Sequence, residues 1–204
     1  MQVTAMQTTN PVARAFLPFA RFLSLLVGYG LLGLALLVTA EILLRRFFSI
    51  SLQGGDEFGG YVLAIMATFG FAYALLERAH TRVEILLERV SSRPQALMNL
   101  VSAVAISFTA CFMAWRAWAT LMESIEYGAL SGTPLMTPLW QPQAIWLFGL
   151  VFFAIVSTSI AVHAAILFVR DRKKLNEFYG VKTLAEIIEE EAVLVDEPAR
   201  GIGA

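Results

Sequence analysis

Four apolar runs, near Phe22–Leu44, Phe58–Leu76, Leu100–Leu121 and Ala144–Val169, constrain this chain more than any other feature. Each is close to the 20 or so residues that an α-helix needs to cross a hydrocarbon core about 30 Å thick. In that medium every backbone N–H and C=O must be satisfied within the segment, so runs of this length read as helices. The expected fold is all-α and integral to the membrane, with four transmembrane helices. At 23 residues the first run exceeds the apolar stretch of a secretory signal, and Arg14 stands well inside the chain, so the reading keeps it as a span.

Basic residues orient the four spans. Two precede the first (Arg14, Arg21), four lie between the second and third (Arg78, Arg82, Arg89, Arg93), and six follow the fourth (Arg170, Arg172, Lys173, Lys174, Lys182, Arg200). These are twelve of the fifteen lysines and arginines; only Arg45 and Arg46 occupy the other two connections, and Arg116 lies within the third span. Basic residues close to a span resist translocation, which predicts cytoplasmic termini and a cytoplasmic central connection. The layout is then a cytoplasmic segment 1–21, a membrane domain 22–174 and a cytoplasmic tail 175–204.

Composition narrows the function classes. The chain is 58% apolar and 15% charged, with mean hydropathy +0.69, too hydrophobic for a water-soluble domain of 204 residues. Its basic residues follow the orientation pattern instead of forming a basic, aromatic-interleaved patch, which argues against nucleic acid as a partner. A single cysteine, Cys111, precludes an intramolecular disulfide. With two separated histidines and no HExxH, GxSxG or glycine-rich phosphate loop, no catalytic site, metal site or cofactor is expected.

The connections carry their own signals. After Arg45-Arg46-Phe47-Phe48, Gly54-Gly55 break the helix, and Asp56 is the expected N-cap of the second span, with Glu57 at its positive end. In the central connection Val83, Leu86, Leu87 and Val90 recur at helical spacing, predicting a short interfacial amphipathic helix between the second and third spans. Ser92-Arg93-Pro94-Gln95 reads as a capping box with Ser92 at the cap. Pro134, Pro138 and Pro142 predict an extended outer segment, and Trp140 and Trp146 an interfacial aromatic belt. In the tail, Thr183 and Glu186 predict a short helix, and from Asp196 onward the composition predicts disorder.

Three ionisable groups fall within the spans: Glu41, Arg116 and His163. Glu41 and Arg116 have similar predicted depth near the outer ends of their spans, so an interhelical ion pair is expected, the alternative being separate snorkelling to the interface. Arg45 stands one turn beyond Glu41. His163, near the inner end of the fourth span, reads as a helix-packing residue with an interhelical hydrogen bond, and His80 as a polar interfacial residue.

Taken in order, Arg45-Arg46-Phe47-Phe48, the turn ending Asp56-Glu57, His80-Thr81-Arg82-Val83 and Thr137-Pro138-Leu139-Trp140 resemble the small membrane subunit of tripartite ATP-independent periplasmic (TRAP) transporters, the DctQ-like family. The resemblance covers about Phe16 to Lys174. Gly54-Gly55-Asp56 departs from it, since an aromatic residue commonly precedes the second span there. The resemblance implies a scaffold subunit of the bacterial inner membrane. Its partners would be a large DctM-like permease that moves a small organic acid with sodium and a DctP-like periplasmic binding protein. Glu41, Arg45, Arg46, Glu57, His80, Arg116, Pro138, Trp140 and His163 are the structural or subunit-contact candidates. The absence of an internal repeat and of a carboxylate cluster in the spans agrees with a partner subunit that carries no substrate itself. Two other readings stay open: a free-standing small transporter or channel, and a membrane sensor or assembly factor acting through the tail.

Overall fold

The computed structural model describes residues 10–49, 54–79 and 90–180. They form five helices: α1 Pro11–Phe48, α2 Gly55–Leu76, α3 Ser92–Glu126, α4 Trp140–Arg170 and α5 Arg172–Tyr179. The first four are long and apolar enough to cross a membrane. Among the described residues there is no strand, only an isolated bridge between Leu130 and Pro138.

The ends of the helices follow local chemistry. Asn10 caps α1, its Oδ1 accepting from the Val12 N–H at 3.1 Å, with Pro11 at the first helical position, where a missing N–H costs nothing. At 38 residues, roughly 57 Å at 1.5 Å per residue, α1 is far longer than the expected span. Arg45 and Arg46 occupy its last turn, favourable for the C-terminal dipole. α3 ends in a Schellman motif: Gly128 adopts φ 56°, its N–H bonds Ile125 O, and the Ala129 N–H reaches back to Ser124 O at 2.9 Å.

Two expected caps shift by one or two residues. α2 is capped by Gly54 at φ 101°, which puts Asp56 inside the first turn instead of at the cap. Only a residue without Cβ adopts that backbone freely, and the side chain of Leu135 occupies the space a Cβ at Gly54 would need. α3 begins one residue before the expected position, with Ser91 at the cap. The Ser92 carbonyl instead accepts a hydrogen bond from Asn176. The connection between α3 and α4 also differs: it does not run extended through its prolines but turns back at Thr133–Met136, where the Met136 N–H bonds Thr133 O. Val83, Leu86 and Leu87 of the expected interfacial helix lie outside the described residues, as do His80, the Thr183–Glu186 capping pattern and the end of the tail.

α2 and α4 lie side by side at the centre, α1 flanks α2, and α3 flanks α4, so the spatial order is α1, α2, α4, α3. Small side chains let the helices approach. A Cβ on Gly149 of α4 would collide with the Thr68 hydroxyl of α2, and Thr68 is only 1% exposed. On α3, Ala96, Ala103, Ala110 and Ala117 are all buried at intervals of seven residues. That spacing keeps one narrow seam on the neighbouring helix along the whole span. α5 packs beneath α3 and α4.

Candidate functional site

Glu57 organises the end of the helix row at which α2 and α4 begin. It occupies the first turn of α2, is 8% exposed, and receives the Tyr61 hydroxyl on Oε1 at 2.7 Å. The Thr133 hydroxyl, from the α3–α4 connection, donates to the other oxygen. Ser131 and Thr133 share a hydrogen bond at 2.9 Å, and the Ser131 Oγ accepts the Thr137 N–H at 2.9 Å. The carboxylate therefore fastens the connection to α2 through hydroxyls, and among the described residues it has no basic partner. Hydrogen bonds to an ionised acceptor are the strong kind.

Glu41 lies beside this fastening. Its Oε1 accepts from Arg45 at 2.6 Å, and its carboxylate fills the space a Cβ on Gly55 would take. The expected Glu41–Arg116 pair is not formed. α1 and α3 stand at opposite ends of the helix row, and the Arg116 guanidinium lies 5.8 Å from the Trp115 ring centroid instead. Which helices lie side by side was not legible in the sequence. Arg46 is exposed, Pro138 pairs with Leu130, and Trp140 opens α4 with 45% exposure.

The opposite end is fastened by α5. Asp171 caps it, accepting from the Lys173 and Lys174 N–H groups at 3.1 and 3.2 Å. Asn176 then joins α5 to α3 three ways: Oδ1 accepts from Asn99 at 3.0 Å, and Nδ2 donates to Ser92 O at 3.0 Å and to Gln95 Oε1 at 3.3 Å. Tyr179 meets His163 Nδ1 of α4 at 2.6 Å and reaches Asn10, the cap of α1, at 3.5 Å. Burial pushes the Tyr179 phenol up to about 12, so it remains a neutral donor at physiological pH.

Arg78 closes the same end from α2. It sits at φ 59°, a left-handed position that costs a non-glycine residue roughly 1–2 kcal/mol. There it completes a Schellman end, with the Ala79 N–H bonded to Ala74 O at 2.9 Å. Its guanidinium donates to Gly180 O at 2.7 Å and to Glu177 O at 3.3 Å, and these bonds offset the backbone cost. Neighbouring Glu77 is 3.9 Å from Arg21 of α1.

Sequence reading singled out Glu57 and His163 but missed Asn10, Asn99, Ser131, Thr133, Asn176 and Tyr179. The heptad of alanines on α3 was a usable signal, because Asn99 shares its buried seam. For α5 the signal was Asp171 as a cap, with Leu175 and Tyr179 one turn apart on one face.

The flank formed by α1 is apolar and bare. From Gly28 to Phe48 no residue of α1 is buried, and a Cβ at Gly28, Gly30 or Gly33 would meet no atom of the described residues. The arrangement is thus a helix row, fastened at both ends by polar side chains and open along its flanks.

No curated protein and no solved structure matches the chain. The sequence model of the DctQ component of tripartite ATP-independent periplasmic transporters matches residues 34–167, most of the four-helix region. This is a family of transporter components and not of enzymes. Its match over more than half of the chain makes this protein a member of the DctQ family, a small membrane component of a TRAP transporter.

Proposed function

We propose that the chain is the fixed scaffold subunit of an inner-membrane complex. In it, a large DctM-like permease carries a small organic acid inward with sodium, and a DctP-like periplasmic protein delivers it. The termini face the cytoplasm in this reading. Supporting that orientation, Arg21, Arg78, Arg170 and the lysines of α5 gather at one end of the helix row, with Arg45 and Arg46 at the other.

The observation that carries the scaffold role is the contrast between ends and flanks. The helices are pinned by Glu57 above and by Asn176, Tyr179 and Arg78 below, while no residue of α1 from Gly28 to Phe48 is fully buried. A helix this bare is covered by lipid or by a neighbouring subunit. Gly28, Gly30 and Gly33 allow close backbone approach by a permease helix. Glu41, Arg45, Arg46, Trp140 and Pro138 lie around the outer surface that the binding protein approaches.

Proteoliposome uptake tests the proposal. With permease, binding protein, organic acid and an inward sodium gradient, uptake requires this chain, and the chain alone transports nothing. Uptake by the chain alone would replace the scaffold reading with a free-standing transporter.

A further inference from the structure

Arg116 is a cation without a counter-charge in the apolar part of α3. The 22 residues before it and the six after it carry no charge. A guanidinium has five N–H donors to satisfy, yet Arg116 makes no hydrogen bond and no ion pair among the described residues. Its guanidinium lies 5.8 Å from the centroid of the Trp115 ring, and Phe112 packs against that ring at 5.9 Å. One aromatic contact does not offset the cost of an arginine in hydrocarbon.

The nearer polar end of the helix row is out of its reach. Ten residues, about 15 Å of helix, separate Arg116 from the end of α3 at Glu126. Its neighbour Ala117 packs with Leu147 and Leu150, which stand seven and ten residues into α4. An extended arginine spans roughly 7 Å, counted from bonds of about 1.5 Å. Helical side chains also lean toward the N-terminus, which here is away from that end and from Glu123. A lipid phosphate, which stays at headgroup level, therefore does not serve as the counter-charge.

The face around Arg116 is shaped for a helix. Ala105, Thr109, Phe112, Arg116 and Thr120 succeed one another at steps of three or four residues, and all are exposed. Thr109 and Thr120 turn their hydroxyls onto their own backbone, to Ala105 O at 2.9 Å and Arg116 O at 3.1 Å, so neither hydroxyl is left to seek water. Small residues on both sides of the arginine admit another backbone closely. Trp115 and Phe112 already hold the guanidinium in place, so little freedom is lost when an anion meets it.

We infer that this face seats a transmembrane helix of a partner subunit, and that the helix carries one carboxylate at the depth of Arg116. Pairing satisfies both charges away from water, and the planar guanidinium suits a carboxylate's two oxygens. α3 lies at the other end of the row from α1, so this contact is separate from the one at Gly28, Gly30 and Gly33. In the complex proposed above, the partner is the large permease. That identity rests on the scaffold reading; the acidic helix does not.

The test uses the full chain in lipid nanodiscs and a synthetic leucine- and alanine-rich transmembrane helix with one central Glu, or with Gln in its place. Binding is read by energy transfer to a dye on Cys111, the only cysteine. The chain binds the Glu helix about tenfold more tightly than the Gln helix. Arg116→Gln removes the preference, and Thr109→Trp weakens binding of the Glu helix by obstructing the face. The Arg116→Gln chain alone unfolds no earlier than wild type, which separates lost binding from lost folding. Equal binding of the two helices by wild type would overturn the inference, as would a preference that survives Arg116→Gln. With the permease co-expressed, Arg116→Glu lowers co-purification, and reversing one carboxylate in a permease span to Lys restores it. Unchanged co-purification of Arg116→Glu would overturn the assignment to the permease. Failure of wild type to co-purify would sink the scaffold reading and leave the preference for the Glu helix intact.

Discussion

The Thr133 hydroxyl donates to the buried carboxylate of Glu57, 76 residues away in the chain, and this contact ties the α3–α4 connection to the start of α2. Glu57 also holds Tyr61, so one carboxylate sets the position of a helix end and of the segment that approaches it. Thr133→Val removes the donor while keeping the shape. Hydrogen exchange at the Met136 and Thr137 amides then accelerates several-fold, and exchange in the middle of α2 and α4 does not. Unchanged protection at both amides would show that the prolines alone order this segment.

Thr68 and Gly149 mark the closest approach of the two central helices. Gly149→Ala forces the Thr68 side chain or the helices to move, and destabilises the protein by about 1–3 kcal/mol, the usual range for overpacking. Thr68→Ala removes the nearest colliding atom and partly restores the double variant. Thermal unfolding in detergent reads both effects, and strictly additive losses would place the strain elsewhere.

Tyr179 links stability to alkaline pH. Its phenol is held near 12 against an ordinary value of 10.0, so the unfolded chain loses this proton before the folded one does. The associated stability is complete below pH 10 and declines as pH rises toward 12. Tyr179→Phe eliminates this component of the decline, and also loses the bonds to His163 and Asn10. Unfolding temperatures of wild type and Tyr179→Phe between pH 8 and 12 give the comparison, and parallel curves would deny Tyr179 the role.

Glu41 couples to Arg45 and not to Arg116. In double-mutant cycles, Glu41→Gln with Arg45→Gln departs from additivity by a few tenths of a kcal/mol, the scale of an exposed i,i+4 pair. Glu41→Gln with Arg116→Gln adds. A clear coupling in the second cycle would mean that α1 and α3 meet in the assembled complex.

Topology follows from thiol labelling in intact cells, with Cys111 replaced by alanine. Gly132→Cys reacts with an impermeant reagent from the outside, and Ser92→Cys does not. The reverse pattern would invert the orientation.

The sequence by itself determined the number of spans, their charge asymmetry and the family, because hydropathy and charge are properties of each segment alone. Glu57 was legible as a helix-start carboxylate, and His163 as a packing histidine. Their partners were not: nothing in the segments of Thr133 and Tyr179 points to Glu57 or His163. The tertiary structure decided the row α1, α2, α4, α3, which separates Glu41 from Arg116, and it brought Asn10, Asn99 and Asn176 to one end of that row. The physical reason is the solvent. In lipid every span is equally apolar to its neighbours, so helix pairing is chosen by close fit at residues such as Gly149 and the α3 alanines and by a few polar bonds, and both exist only once the helices meet.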